Sequence, residues 1–517
     1  MDKYLLAYDL GTNGVKAALF TPEGQQIASA YREYGVIFPH PSWVEQSVEL
    51  MWAAQCQVTG ELIKVSGCKA QDIAALAISS QRATFAPLDR QGQPFGNFIG
   101  WQDARSIKQC EYIEDKIGAR RYYEITGLTI SPTAAVSKIL WIKENDPELF
   151  EKTAVFGTTQ CVHLRQLGVL DPPSDLADAG YMGLLDINKL DWSEALLKEL
   201  EIPIEKLPRL VNSGTIAGEV SGEAADATGL AAGTPIVIAG GDLQCAGIGL
   251  GIVKPGVISL GIGTGGGLLA YSKAPAFHPD MGLNCQPHAM RGGWEVEGIC
   301  MASGSSFKWY RDILSQMEKQ TAQDEGLDPY DLLTSSAARA LPGAGGLLFM
   351  PMLAGSGAPH CQPQARGVLL GLTLATEKKD INRAIMEGIC LELRGMIEAA
   401  RRSGLKVDEV RIWGGAVKSR FWNQLAADIY DVPAIKMAIS EGGLSGAAIC
   451  AGIGIGLYQD EKEGAEFFVQ KEERFEPNPE LRSRYDEMYD LYQFIYKILM
   501  DTSAFGRLAA LQTKLKD

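Results

Sequence analysis

The chain has 517 residues, too many for one compact core, so two domains of roughly 200–250 residues each are expected. Hydrophobic residues make up 46% and charged residues 21%, the balance of a well-cored globular enzyme, and 57 glycines announce many tight backbone turns. A net charge of −15 with no long Lys/Arg run argues against DNA, RNA or an anionic membrane as partner, while leaving room for a local basic pocket for phosphates.

The first element, Tyr4–Leu10, reads as a strand, with Val15–Phe20 its antiparallel partner and "QIASAYREYG" from Gln26 a third strand. A dinucleotide-binding sheet begins strand, glycine turn, helix, so this start excludes one. Asp9 also breaks the apolar run before it reaches the length of a signal-peptide core. Between the first two strands lies "DLGTNG". Consecutive backbone N–H groups in such a turn form a concave anion site, glycine permits positive φ there, Thr12 and Asn13 add side-chain donors, and Lys16 lends charge. Asp9 beside a phosphate requires a divalent cation between them, and Mg²⁺ held by one or two carboxylates plus phosphates is the usual arrangement. An ordinary hairpin with Asp9 capping its own turn would read the same way.

From Ser47 the spacing of Leu50, Ala54, Val58 and Leu62 predicts a helix ending at Gly67, followed by a buried strand at Ile73–Ile78. The result is an α/β layer architecture with a mixed sheet. Just past that strand, "ISSQRATF" places Gln81 and Arg82, and "IGWQDARS" places Trp101, Gln102 and Asp103 past another. An aromatic face with Arg, Gln and Asp suits a small sugar or polyol. The plainer alternative pairs Arg82 with Asp103 and buries Trp101 in the core.

The same grammar returns at Thr234–Ser272: strand, Asp242, a helix of small residues, strand, glycine turn, strand. Two related domains facing a common cleft follow, divided near Gly240 into 1–240 and 241–480, with a helical segment at 481–517. Asp242 would project from a strand end into the cleft, where a carboxylate could take the proton of an attacking hydroxyl; a helix N-cap is the alternative. Gly261, Gly263 and Gly266 spell G-x-G-x-x-G, but no helix follows, so the dinucleotide fingerprint is rejected and Gly263, Thr264 and Gly265 read as a second phosphate clasp. The region from Lys379 forms an amphipathic helix with Ile381, Ile385, Ile389, Leu393 and Ile397 on one stripe. In "RIWGGAVKSRFWNQLAADI" a strand, Gly414–Gly415 and a helix make a third clasp. Three clasps fit a triphosphate. The helix from Leu481 packs back on the body through its aromatics, or else serves a homodimer. Ten scattered cysteines without a CxxC pair suit a reducing compartment, and an uncharged stretch from Gly442 is too short and glycine-rich to span a bilayer, so a cytoplasmic protein is expected.

Taken together, "YDLGTNGVKA", "SSQRAT", "WQDAR", "SPTAAVSKILWIKENDPELF", "GGDLQCAGIGLG", "GTGG", "GSGAPHCQPQARGVLLGLT", "WGGAVKSRFWNQLAADI" and "GAAICAGIGIGLY" resemble the FGGY carbohydrate kinases over nearly the whole chain. The resemblance implies two ribonuclease H-like domains of the actin/Hsp70/sugar-kinase kind around a central cleft, closing on ATP, Mg²⁺ and a sugar or polyol. It implies Asp242 as the base, Asp9 and Asp242 on the metal side, and Asp9, Thr12, Asn13, Lys16, Gly263, Thr264, Gly265, Gly414, Gly415, Ser419 and Asn423 around the nucleotide. Gln81, Arg82, Trp101, Asp103 and Asp242 are implied around the acceptor. Glycerol kinases carry Arg-Glu where this chain has Arg82-Ala83, and xylulokinases Met-His. A ketopentose such as xylulose is the leading acceptor, glycerol or erythritol the alternative. A non-catalytic ATP-binding protein of the same fold is the reading from another class.

Overall fold

The computed structural model describes residues 3–438 and 441–515. Two large mixed sheets organise the chain. The first contains β1 (Tyr4–Leu10), β2 (Gly14–Phe20), β3 (Gln26–Glu33), β4 (Ile73–Ser80), β5 (Ile216–Glu219) and β6 (Pro235–Gly241), in the order β5-β6-β4-β1-β2-β3. The second contains β7 (Gly256–Ile262), β8 (Gly266–Ser272), β9 (Asn284–Pro287), β10 (Trp294–Cys300), β11 (Val407–Trp413), β12 (Ala434–Met437) and β13 (Lys471–Phe475), in the order β9-β10-β8-β7-β11-β12-β13.

The repeat covers five strands of each sheet, β3-β2-β1-β4-β6 and β10-β8-β7-β11-β12. In each sheet the first strand (β1, β7) pairs antiparallel with the second (β2, β8) and parallel with a later one (β4, β11), and β6 or β12 continues the parallel half. β6 and β12 each lead into a helix rich in small residues, Asp242–Gly249 and Gly442–Gly454. These two helices pack against each other, and the second lies on β1, β4 and β6 of the first sheet despite its place late in the chain. Sequence pattern gave no sign of that crossing. It depends on glycine: a Cβ on Gly446 would overlap the Cys245 carbonyl, and one on Gly249 the Gly442 carbonyl. Backbone cannot yield as a side chain can. Gly446→Ala is therefore expected to destabilise the protein by roughly 1–3 kcal/mol, the usual cost of overpacking, read as a lower urea midpoint of the unfolding transition.

The predicted helix after Ser47 spans Val48–Ser66, with the Ser47 hydroxyl accepting from the Leu50 N–H and Gly67 closing it in the left-handed region. The long amphipathic helix spans Lys378–Arg402 and buries Ile385, Ile389, Leu393 and Ile397. The C-terminal helix Arg482–Asp501 packs back on it: Tyr485 donates to Glu387 at 2.9 Å and Tyr492 to Glu392 at 2.7 Å. All ten cysteines are free thiols. Among the described residues no helix is long and apolar enough to cross a membrane.

Candidate active site

Parallel strands in one sheet end on one edge, and ligands of open α/β sheets collect outside that edge. Here β1, β4 and β6 are parallel, and their registers set Asp9 beside Ser79 and Ser79 beside Gly240. Asp242 follows two residues later. This is why residues 233 positions apart share one crevice. The Ser79 hydroxyl donates to Asp9 Oδ1 at 3.1 Å. Loss of solvent and the nearby charge of Asp242 push the Asp9 carboxyl up to about 7, which marks a place where negative charge is crowded and short of a counter-ion. Lys16 relieves it only in part, because its ammonium donates to Glu441 at 2.8 and 3.0 Å. Glu441 comes from the late half of the chain, so that pair spans the crevice.

Asp242 is the more open carboxylate, its side chain 39% exposed, and accepts from Arg82 Nε at 3.1 Å. Arg82 also donates through Nη1 to both oxygens of Glu297 at 3.1 and 2.9 Å and lies 4.0 Å from the centre of the Tyr181 ring. Trp101 is partly exposed, and its indole N–H donates to the Thr12 hydroxyl at 2.9 Å, tying the acceptor side to the first turn. Gln81 is buried and donates to Gln46 Oε1 at 2.6 Å, while Gln46 donates in turn to the Thr12 carbonyl.

Asp103 differs from expectation. It is fully buried, bound by Arg105 through Nε and Nη2 at 2.9 Å and by the Val44 N–H at 2.7 Å, which leaves neither oxygen free for an acceptor. Nor does it pair with Arg82. It fixes the loop that carries Trp101, aided by Lys138, a buried lysine donating to the carbonyls of Gly100 and Thr133. Burial lowers the Lys138 ammonium to about 7.

The nucleotide-side clasps meet at the second sheet. Gly263 and Gly414 follow the adjacent parallel strands β7 and β11 and approach so closely that a Cβ on Gly414 would lie 2.8 Å from the Ile262 carbonyl oxygen. Gly263, Thr264, Gly415 and Ser419 line one cavity of about 840 Å³. Sequence reading missed a large part of its wall, which comes from the helices Gly304–Leu314 and Pro329–Ala338: Gly304, Ser305, Lys308, Tyr330 and Thr334 among others. The only available signal was the small-residue run before Phe307. Asn423, expected at the nucleotide, is buried and donates to the Val417 carbonyl at 2.9 Å, holding the Gly415–Lys418 turn in shape; Ser419 caps the following helix.

The glycines act differently from expectation. Gly11, Gly14, Gly263 and Gly265 do not adopt positive φ; of the clasp glycines only Gly414 does, at 103°. Gly14 is needed for space, because a Cβ there would lie 2.5 Å from the Arg32 carbonyl oxygen on β3. The hairpin turns still suit an anion. Among the described residues the backbone N–H groups of Thr12, Asn13, Thr264 and Gly265 have no protein acceptor.

Among those residues no group of three or more His, Cys, Asp or Glu side chains forms a ready metal cage. Two carboxylates on a crevice edge beside free N–H groups fit Mg²⁺, which keeps several waters and takes its remaining ligands from substrate phosphates.

Comparison with known proteins places this geometry. Residues 4–249 match the N-terminal domain of the FGGY family of carbohydrate kinases, and residues 258–455 match its C-terminal domain. A xylulose kinase of Bacillus subtilis is 32% identical over 496 residues, covering 96% of this chain and 97% of that protein. Glycerol kinase 2 of Thermotoga maritima is also 32% identical over 496 residues, covering 93% and 96%. The crystal structure of a gluconate kinase from Lactobacillus acidophilus superposes with a TM-score of 0.89 at 26% identity, covering 98% of this chain and 100% of that one. The chain belongs to the FGGY family of carbohydrate kinases and is a phosphotransferase with an alcohol group as acceptor.

Proposed function

We propose that the protein transfers the γ-phosphoryl group of ATP to a hydroxyl of a small sugar, with a ketopentose such as xylulose as the leading acceptor. The observation that carries this reading is the shared crevice of Asp9 and Asp242, with Arg82 bonded to Asp242 on one side and Trp101 bonded to Thr12 on the other. In it, Asp242 accepts the proton of the attacking hydroxyl. Arg82 orients that carboxylate. Trp101 offers an apolar face to substrate C–H groups. The 840 Å³ cavity takes the nucleotide, its aromatic wall at Phe307, Tyr330 and Trp422 facing the base and its glycine turns the phosphates. Asp9 and Asp242 would hold Mg²⁺, whose charge offsets that of the phosphates when bound. Asp103 and Asn423 act in support, since their polar atoms are already engaged. Ten free thiols suit a cytoplasmic setting.

Glycerol or erythritol is the second reading, favoured by the equal identity to a glycerol kinase. Neither the Arg-Glu nor the Met-His pair stands at positions 82–83, so the sequence there leaves the choice to the pocket. ADP release measured against xylulose, ribulose, glycerol, erythritol and gluconate decides it. The expected result is turnover with a ketopentose well above the rest. ATP binding without acceptor-dependent ADP release from any of them would overturn the reading.

A further inference from the structure

The hydrogen bonds of Arg82 carry a consequence for acceptor charge. Its side chain is 10% exposed and stands where the two halves of the molecule meet. Asp242 takes Nε, and Glu297, 215 positions away on β10 of the second sheet, takes both hydrogens' worth of Nη1 through its two oxygens. Glu297 itself is almost wholly buried, at 2%. One guanidinium therefore answers two carboxylates. Two further acids, Glu295 and Asp178, lie behind them, fully buried and without hydrogen-bond partners among the described residues. Only Nη2 of Arg82 is left without an acceptor among the described residues.

What that corner can bind follows from charge. A neutral hydroxyl can donate to Asp242 and a neighbouring hydroxyl accept from Nη2, at no electrostatic cost. A substrate carboxylate seeking Arg82 would have to displace Glu297 or approach Asp242, an uncompensated like charge in a desolvated site. Glutamate at this point uses up the guanidinium that would otherwise attract an acid sugar.

We propose that Glu297 is a specificity-determining positioning residue: by holding Arg82 from the opposite sheet it restricts the acceptor to uncharged polyhydroxy compounds and excludes aldonates. The inference rests on the kinase reading above and narrows its substrate class.

Two measurements on the full-length protein test it. Gluconate is first added to the wild type as competitor against the best neutral acceptor. The expected result is neither inhibition nor phosphorylation of gluconate at concentrations that saturate with the neutral compound; inhibition of similar strength, or turnover of gluconate, overturns the proposal while leaving the kinase reading intact. Glu297→Gln then keeps the shape and an acceptor oxygen but frees the charge of Arg82. The ratio of kcat/KM for gluconate to that for the neutral acceptor is expected to rise roughly 10–100-fold, the worth of one hydrogen bond to a charged group. A merely structural role lowers both values together and leaves the ratio unchanged, which would also overturn it. If the variant does not fold, the wild-type competition decides alone. A wild type that phosphorylates no neutral sugar or polyol refutes the underlying reading instead.

Discussion

Asp242→Asn is expected to lower kcat for the sugar by about 10²–10⁴-fold, the usual contribution of a positioned base, and to leave the affinity for metal-free ATP unchanged. The split follows from geometry. Asp242 opens the helix that follows β6, on the acceptor side of the crevice, while the nucleotide cavity is walled by residues of the second sheet and its helices. Asparagine keeps an oxygen for the Arg82 Nε–H, and Arg82 remains anchored by Glu297, so the crevice persists. What disappears is the group that takes a proton from the alcohol as the phosphoryl group arrives. Coupled ADP release gives kcat, and calorimetry with a non-hydrolysable ATP analogue in EDTA gives the metal-free affinity. Activity within tenfold of the wild type would remove Asp242 from the role of base. An equal loss in both quantities would make it a structural residue.

The contrast between what sequence revealed and what it hid has physical causes. Strands β1 to β4 were legible because each has its own apolar run ended by a polar turn, and Asp9 and Asp242 were legible because each interrupts such a run at a strand end. The glycine turns were located correctly for a partly mistaken reason. Local reading attributes them to positive φ, whereas Gly14 is small because β3 passes against it, a fact about a neighbouring strand. Asp103 and Asn423 were named from their types, yet type does not disclose that Arg105, Val44 and Val417 already occupy them. Glu297 was passed over altogether. Its signal was faint, two acids two residues apart in an otherwise apolar strand, which alternation puts on one face; its partner lies in the other half of the chain. Contacts between the two sheets are where a linear reading fails, because nothing local in either segment encodes them.

Asp9→Asn is expected to separate folding from function in opposite directions. Without metal, the Asp9 carboxyl in the folded protein titrates near 7, raised by lost solvation and by Asp242 and Glu441, with Ser79 and Lys16 only partly offsetting them. An unfolded chain ionises the same group near 4. Between those values the unfolded state binds fewer protons than the folded one, so stability falls as pH rises from about 4 to about 7 and then levels off. Asparagine carries no such penalty. In EDTA the variant should therefore melt a few degrees above the wild type at pH 8, with the gap narrowing as pH falls and closing near pH 4. Mg²⁺ with ATP should reverse the order, since the wild type gains from the pair by mass action and the variant gains less. Turnover should fall by on the order of 10²–10³-fold, the scale of metal-borne charge stabilisation. Thermal melts across pH, with and without MgATP, check both halves. A variant that melts like the wild type in EDTA at every pH would show that Asp9 bears no excess negative charge in the crevice, and undiminished stabilisation by MgATP would move the metal elsewhere.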